Sequence, residues 1–256
     1  MIDLDRIIAQ SFVRHAEWLP EVDSTNTLAL QTIDGPAPLP RLIGAESQTR
    51  GRGRNNHSWW SSSGALTFSL LLSPAEFGIS RPLWPRLSLV TGLAVCRALE
   101  EFLQAAQVQW KWPNDVYVNG RKICGILIET HPEFPDRLVI GIGINANNSF
   151  QSAPEEIRHT ATSMADLTGG HHNRSDVLVA VLQAIELEFL ALSQNDPTQI
   201  DRCRQRCFLT GRLLKLKEVT STVTGMCLGI DDDGALRLMT EVGPQRFLSG
   251  EITRID

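Results

Sequence analysis

The chain has 256 residues, 42% of them apolar and 21% charged, which is an ordinary globular composition long enough to bury a full core without disulfides. Its formal net charge of −5 opposes binding to nucleic acid, whose phosphates are also negative. No apolar run approaches the ~20 residues needed to cross a bilayer, and the acidic N-terminus does not resemble a secretory signal, so we expect a cytoplasmic protein.

The first third of the chain predicts a helix, two strands and a long loop. N-cap residue types at 23–26 precede apolar residues at 28–30, which predicts the start of a short helix. Three prolines predict a loop over 35–40, and strands are predicted at 42–45 and 65–72. Residues 47–63, between those strands, show no periodicity. An irregular segment of that length inside a compact domain is usually functional.

The middle of the chain predicts one helix and most of a central sheet. Apolar residues at 87, 90, 94 and 98 follow helical spacing and predict a helix over 83–103. Short strands are predicted over 108–112 and 116–118, and the dipeptide Asn119-Gly120 is a strong hairpin-turn signal. Strands over 123–128 and 138–144 complete the predicted sheet.

The last third predicts two helices and a small all-β unit. Ser175 is the predicted N-cap of a helix with one apolar face, and a second helix is predicted over 198–207. The apolar face comprises Leu178, Leu182, Ile185, Phe189 and Leu192. After Gly211, apolar and polar residues alternate, which predicts a small antiparallel barrel. We therefore predict one domain over 1–208 and a smaller one over 209–256.

The cysteines do not indicate a disulfide framework or a metal site. They are Cys96, Cys124, Cys203, Cys207 and Cys227. Their number is odd and no CxxC pair occurs. Cys203 and Cys207 stand four apart on a predicted helix with no histidine nearby. Reduced thiols in a cytosolic protein are the favoured interpretation.

The segment from Gln48 to Arg54 reads Gln-Thr-Arg-Gly-Arg-Gly-Arg and is the strongest functional signal. Its glycines let the backbone approach a ligand, and its arginines present forked donors that suit carboxylate or phosphate oxygens. It is not a Walker loop, because the Gly-Lys-Ser/Thr ending is missing. Alone, the segment fits either a loop that closes over an anion or a solvated basic turn.

Three neighbouring features favour the anion-binding interpretation. Trp59-Trp60 follows the loop, and exposed tryptophans are costly unless they cover something apolar or planar. Residues 111–115, Lys-Trp-Pro-Asn-Asp, lie between two predicted strands, where Pro113 interrupts the ladder and places polar side chains on a bend. Lys122 leads a buried strand and can reach an internal phosphate. Each feature alone also fits a purely structural role: core packing, a surface turn or a charge at the edge of a hairpin.

In their order and spacing, these motifs resemble those of the biotin protein ligase family, from Asp23 to the end of the chain. The matching segments are Asp23-Ser24-Thr25-Asn26, Gln48, Gly51-Arg52-Gly53-Arg54, Trp59, Lys111-Trp112-Pro113-Asn114-Asp115, Arg121-Lys122, Gly125-Ile126-Leu127-Ile128-Glu129 and Gly141-Ile142-Gly143-Ile144-Asn145. The combination is highly specific, although no single member of it is.

The resemblance implies an α+β fold: a catalytic domain similar to class II aminoacyl-tRNA synthetases, with a mixed sheet and flanking helices, and a C-terminal SH3-like β-barrel. It implies an ATP-dependent ligase (EC 6.3.4.15) that forms biotinyl-5′-AMP from biotin and ATP and transfers biotin to a specific lysine of a biotin carboxyl carrier protein. The implied partner is the carrier domain of a biotin-dependent carboxylase, with Mg²⁺ accompanying ATP and with no nucleic acid or membrane. Family members occur as monomers and dimers, which leaves a homodimer open.

The resemblance also implies roles for individual residues. Catalysis would rest on Lys122, Arg52 and Lys111. Biotin would be bound by Ser24, Thr25, Asn26, Gln48, Arg52, Gly53, Arg54, Lys122 and Gly125. ATP and the adenylate would be bound by Arg54, Trp59, Asn114, Asp115 and Asn145. Asp115 would also organise the Mg²⁺ ion.

The chain departs from the family pattern at the loop exit, where residues 55–58 read Asn-Asn-His-Ser in place of further arginine and glycine. This departure bears on how tightly the loop holds the adenylate, not on whether it binds one. We interpret His57 as a solvated loop histidine. Only about 20 residues precede Asp23, too few for a winged helix, so we expect no repressor function.

Two alternatives stay open at the level of the sequence. One is a lipoate or octanoate protein ligase on a related fold, and the other is a non-catalytic biotin sensor. The arginine–glycine loop and residues 111–115 favour biotin over lipoate. The presence of Lys122 and Arg52 favours an enzyme over a sensor.

Overall fold

The larger part of the fold is a seven-stranded mixed sheet. The computed structural model describes residues 2–104, 106–151, 153–218 and 220–256. The strands are β1 (His15–Val22), β2 (Arg41–Gln48), β3 (Leu66–Leu72), β4 (Val108–Lys111), β5 (Asp115–Val118), β6 (Arg121–His131) and β7 (Phe134–Ile144). Their spatial order is β1-β2-β3-β7-β6-β5-β4. Only β1 and β2 pair in parallel, and the other neighbours are antiparallel.

Helices flank this sheet. They are α1 (Leu4–Gln10), α2 (Thr25–Gln31), α3 (Leu87–Phe102), α4 (Glu155–Arg158), α5 (Met164–Thr168), α6 (Arg174–Ser193) and α7 (Thr198–Gln205). Short 3₁₀ turns occupy Arg54–Asn56, Pro74–Phe77 and Arg81–Arg86. The apolar face predicted for α6 is confirmed, because all five of its residues are buried. Phe189 of that face meets the Phe77 ring edge-on at 5.4 Å.

The alternation of side chains along a strand separates the two faces of the sheet. On β3, Phe68 and Leu70 join the large core formed with α3 and α6, while Leu71 joins a smaller cluster under α2. On β7, Ile140 and Ile142 share the large core, while Val139 joins the smaller cluster. One face is therefore covered by the large core, and the opposite face carries the smaller cluster and, beside it, small and polar residues.

The hairpin predicted at Asn119-Gly120 is confirmed. It joins β5 to β6, and both residues have positive φ angles of 50° and 77°. Two-residue turns of this kind need positive φ at both positions, which asparagine and glycine tolerate best.

The C-terminal part is a separate five-stranded antiparallel sheet, as the alternating pattern predicted. Its strands are β8 (Leu213–Lys217), β9 (Thr222–Ile230), β10 (Leu236–Thr240), β11 (Gly243–Phe247) and β12 (Glu251–Ile255), in the order β11-β10-β9-β8-β12. Leu214 and Leu216 are buried, and Lys215 between them is exposed. The indole Nε1 of Trp112 donates to the carbonyl of Gly234 at 3.2 Å, which ties this sheet to the larger one. The boundary near residue 209 stays a prediction.

Two element boundaries were predicted wrongly. Asn173, not Ser175, is the N-cap of α6, and its side chain accepts from the backbone N–H groups of Ser175 and Asp176 at 2.9 and 3.4 Å. The Ser175 hydroxyl instead accepts from the N–H of Asp3. The helix predicted from 83 begins as α-helix only at Leu87, and the residues before it, including Pro85, form a 3₁₀ turn.

The cysteines are free and buried, as expected for reduced thiols. Within the described ranges, no group of three or more His, Cys, Asp or Glu residues is arranged to hold a metal ion. In the same part of the chain, every helix is too short or too polar to cross a membrane.

Replacing Phe189 by alanine should lower the free energy of unfolding by about 3–5 kcal/mol, because a fully buried ring is lost and a cavity remains. Leu187→Ala on the same helix is the matched control, since its side chain is 53% exposed and should change stability by less than about 0.5 kcal/mol. Urea denaturation measures both. Equal destabilisation would contradict the assigned packing.

Candidate active site

A cleft opens on the small-and-polar face of the larger sheet. Its floor contains glycines from two neighbouring strands, Gly125 of β6 and Gly141 and Gly143 of β7. A Cβ at Gly141 would overlap the side-chain amide of Asn26, and a Cβ at Gly143 would overlap the indole of Trp59. These positions therefore need glycine so that groups from α2 and the loop can lie directly on the sheet.

One end of the cleft is a buried network of neutral polar groups around the start of α2. Ser24 is the N-cap of α2, and Thr25 and Asn26 form its first turn; all three are 2–3% exposed. Gln48 Oε1 accepts from the Thr25 N–H at 2.8 Å. Ser69 Oγ lies 2.8 Å from Thr25 Oγ1 and 2.6 Å from Asn26 Oδ1. The network offers both donors and acceptors, which suits a neutral polar ligand.

Glu129 links this network to the arginine–glycine loop. Its carboxylate accepts from Asn26 Nδ2 at 2.8 Å and forms an ion pair with Arg52. Arg52 Nη1 also donates to Thr27 Oγ1 at 3.2 Å. The sequence placed Glu129 in a motif but gave it no role. Its side chain projects from the face of β6 that carries the cleft. Its contacts with Asn26 and Arg52 show that it joins the polar network to the loop.

The other end of the cleft is rich in cations. Lys122 Nζ lies 2.6 Å from Asp115 Oδ1, Lys111 Nζ donates to the Tyr117 hydroxyl at 3.1 Å, and Arg54 Nη1 lies 3.5 Å from Asn114 Oδ1. Burial lowers the pKa values of both Lys111 and Arg54, and the nearby carboxylates oppose that shift. Burial also raises the pKa of Tyr117 to about 12, so Lys111 faces a neutral phenol.

These pairings leave an excess of positive charge at this end. Lys122 has a carboxylate partner, but Lys111 and Arg54 have neutral ones. Because cations held in a partly buried site keep only weak solvation, an anion that enters gains strongly from them. The arrangement is suited to carboxylate and phosphate groups.

Trp59 covers the middle of the cleft. Its ring lies on Gly125 and Gly143, and Lys122 Nζ is 5.8 Å from the ring centroid. The loop that precedes it folds back on itself: the N–H of Gly53 donates to the His57 carbonyl at 2.7 Å, and the N–H of Trp59 donates to the Gly51 carbonyl at 2.8 Å. Trp60 instead packs on Phe150, with ring centroids 5.2 Å apart, so the core-packing role fits that residue alone.

The C-terminal sheet supplies part of the cleft wall, which the sequence did not predict. Gly250, Glu251 and Ile252 at the start of β12 line it. Glu251 Oε1 lies 2.9 Å from His57 Nε2, and Glu251 Oε2 accepts from Asn55 Nδ2 at 3.2 Å. His57 is 67% exposed, which agrees with its interpretation as a solvated loop histidine, and it also pairs with Glu251. No local sequence signal connects residues 194 positions apart.

Of the predicted site residues, all but one line this cleft. Those that do are Ser24, Thr25, Asn26, Gln48, Arg52, Gly53, Arg54, Trp59, Lys111, Asn114, Asp115, Lys122 and Gly125. Asn145 follows β7, is buried, and accepts from Asn148 Nδ2 at 3.2 Å. It lies outside the cleft lining. Its role near a nucleotide stays a prediction.

Family models match both parts of the chain. The model described as the biotin/lipoate A/B protein ligase family matches residues 18–145, and the model of the biotin protein ligase C-terminal domain matches residues 216–253. The chain belongs to the biotin protein ligases of this family.

Individual relatives agree with this assignment. A bifunctional ligase/repressor of Bacillus subtilis is 33% identical over 93% of this chain and 74% of its own length. A biotin–[acetyl-CoA-carboxylase] ligase of Mycobacterium tuberculosis is 30% identical over 93% of this chain and 88% of its own. The solved structure of a biotin protein ligase from Aquifex aeolicus in complex with biotin and ATP is 34% identical, with a TM-score of 0.81, covering 95% of this chain and 100% of that one. The predicted family and fold class are confirmed.

Replacing Gly143 by alanine should lower the free energy of unfolding by about 1–3 kcal/mol, because the new methyl group overlaps the indole of Trp59 and the loop must move. Gly170→Ala is the control, since nothing lies within 4 Å of a Cβ at that position. Urea denaturation compares the two. Equal stability of the two variants would show that Trp59 does not rest on Gly143.

Proposed function

We propose that this chain is an ATP-dependent biotin protein ligase, which forms biotinyl-5′-AMP and transfers biotin to a lysine of a biotin carboxyl carrier domain. The observation that carries the proposal is the division of one cleft into a neutral polar end and a cationic end. Biotin has a neutral ureido ring at one end and a carboxylate at the other. The relatives named as biotin ligases, and the neighbour that binds biotin and ATP, support it.

In this proposal the neutral network binds the ureido ring. Thr25, Asn26 and Gln48 supply matched donors and acceptors, and they are already held by hydrogen bonds to one another and to Ser69. A prearranged site loses little conformational entropy on binding. The glycine floor leaves room for the apolar part of biotin to lie on the sheet.

The cationic end activates the carboxylate. A carboxylate oxygen of biotin attacks the α-phosphorus of ATP, the bond to the bridging oxygen breaks, and pyrophosphate leaves with its electron pair. Negative charge grows on the phosphoryl oxygens, and fixed cations stabilise that charge. Lys122 is held by Asp115, while Lys111 and Arg54 have neutral partners and are available to the phosphates. Arg52 would break its ion pair with Glu129 and move to the carboxylate of biotin.

Magnesium enters as part of the substrate, MgATP. An ion of this kind takes most of its ligands from phosphate oxygens and water, and needs only one or two protein carboxylates. Asp115 lines the cationic end and is our candidate for that contact. Its ion pair with Lys122 would then be shared with the metal.

In the second step the ε-amine of a carrier lysine attacks the mixed anhydride at the biotinyl carbon. An amide forms, AMP leaves, and the amine proton is released. Water would hydrolyse the same anhydride, so the intermediate must be covered meanwhile. Trp59 and the loop that precedes it lie over the cleft, with Asn114 and Arg54 at their edge.

The carboxylase carrier, the cytoplasmic location and the option of a homodimer belong to this proposal as well.

The deciding experiment is ATP–pyrophosphate exchange measured with biotin, lipoate, octanoate or no acid. Exchange should depend on biotin, and mass spectrometry should then show biotin on the lysine of an added carrier domain. Exchange that occurs with lipoate or octanoate but not with biotin would favour a lipoate or octanoate protein ligase. Biotin binding without exchange would favour a sensor.

Lys122→Ala should slow biotin-dependent pyrophosphate exchange by about 10²–10³-fold, because one fixed cation at the developing charge is lost. The fold should survive, since Lys122 is partly exposed. Lys215→Ala is the control: it removes a lysine from the outer face of β8, outside the cleft, and should leave exchange unchanged. Unchanged exchange in Lys122→Ala would remove that residue from the mechanism.

A further inference from the structure

The loop exit, where this chain departs from the pattern of its relatives, makes its main contacts with the C-terminal sheet. Asn55 and His57 each bind one oxygen of the Glu251 carboxylate, at 3.2 and 2.9 Å. Arg54, which precedes them, turns the other way toward Asn114. The loop is therefore held at both sides of its tip.

We propose that Glu251 and His57 form a latch that holds the loop of residues 50–58 closed over the cleft. Glu251 is then a positioning residue: it acts on the substrate through the loop. The part of this proposal that concerns the adenylate rests on the proposed function. The closure of the loop itself does not.

The latch consists of two hydrogen bonds to one carboxylate. The two bonds come from side chains two positions apart, and the backbone between them is fixed by the bond from the Gly53 N–H to the His57 carbonyl. Hydrogen bonds to an ionised acceptor are about twice as strong as neutral ones. The bond from His57 lowers the pKa of Glu251, which keeps the carboxylate charged at neutral pH.

Cations near Glu251 also stabilise the charge of its carboxylate. Lys217 lies opposite Glu251 on β8, and Lys111 and Arg54 interact with it from the catalytic side. A charged carboxylate is the stronger acceptor for the bonds from Asn55 and His57.

Loss of either bond to the Glu251 carboxylate should weaken the closed state of the loop. The loop should then open more often, and a bound adenylate should leave the cleft sooner.

The first test needs no ligand. Trypsin can cut the loop after Arg52 or Arg54, which both line the cleft, so cleavage there should rise when the loop leaves it. Glu251→Gln and His57→Gln should speed these cuts about tenfold relative to Glu241→Gln, since each loses a charged hydrogen bond. Glu241 is an exposed acid in the turn between β10 and β11, outside the cleft. Equal cleavage in all three variants would overturn the latch, whatever the chain catalyses.

If Glu251→Gln is cut faster everywhere, and not only in the loop, the His57→Gln variant decides, because its substitution lies in the loop and leaves the C-terminal sheet intact. Faster cleavage confined to the loop in that variant supports the latch. Cleavage at the rate of Glu241→Gln overturns it.

The second test follows release of biotinyl-AMP into solution without carrier. Glu251→Gln and His57→Gln should release it faster than the unaltered chain, and Glu241→Gln should release it at the unaltered rate. Equal release from all four proteins would overturn the role of the latch in retaining the adenylate. No adenylate from the unaltered chain would instead refute the proposed function, and the trypsin result would still test the latch.

Discussion

The close approach of side chains to the glycine floor is the constraint on which the site depends. Gly141 and Gly143 leave space that Asn26 and Trp59 fill, and Gly125 extends that space onto the next strand. A sheet normally covers each face with side chains that stand away from it. Here the missing side chains bring α2 and the loop down to the backbone itself. The neutral network and the cationic cluster can therefore share one shallow cleft.

This arrangement also explains why the cations of the cleft can be assembled at all. Grouping buried positive charges is costly unless each has a partner. Lys122 pairs with Asp115 and Arg52 pairs with Glu129, while Lys111 and Arg54 face neutral oxygens. The pairs of Lys122 and Arg52 offset part of the positive charge, and the two less compensated cations, Lys111 and Arg54, mark where a phosphate would gain most.

Much of the fold could be predicted because its signals are local. The N-cap at Ser24, the hairpin at Asn119-Gly120 and the apolar face of α6 each depend on neighbouring residues alone. Predictions failed where two local candidates competed, as with Asn173 and Ser175. They failed also where a partner lies far along the chain. Glu251 carries no signal of its own, and its position opposite His57 exists only once two sheets have packed together.

The motifs predicted the site better than any single residue did. Most members of the constellation line the cleft because they occupy alternate positions on β6 and β7 or the ends of adjoining elements. Asn145 breaks that rule: it follows β7 and is buried beside Asn148. A motif position tells which strand carries a residue, but not whether the residue reaches the open surface.

The place of Glu251 in the chain has a consequence for how the protein is made. A ribosome synthesises β12 after every element of the larger sheet, so the floor, the neutral network and the loop can assemble before Glu251 exists. During that interval the loop can already contact Glu129 and Asn114, but Asn55 and His57 lack the Glu251 carboxylate. If the latch acts as proposed, a nascent chain in this state would release a bound adenylate sooner than the complete chain. The larger sheet can therefore fold before β12 is made, but the loop can be held closed by Glu251 only afterwards.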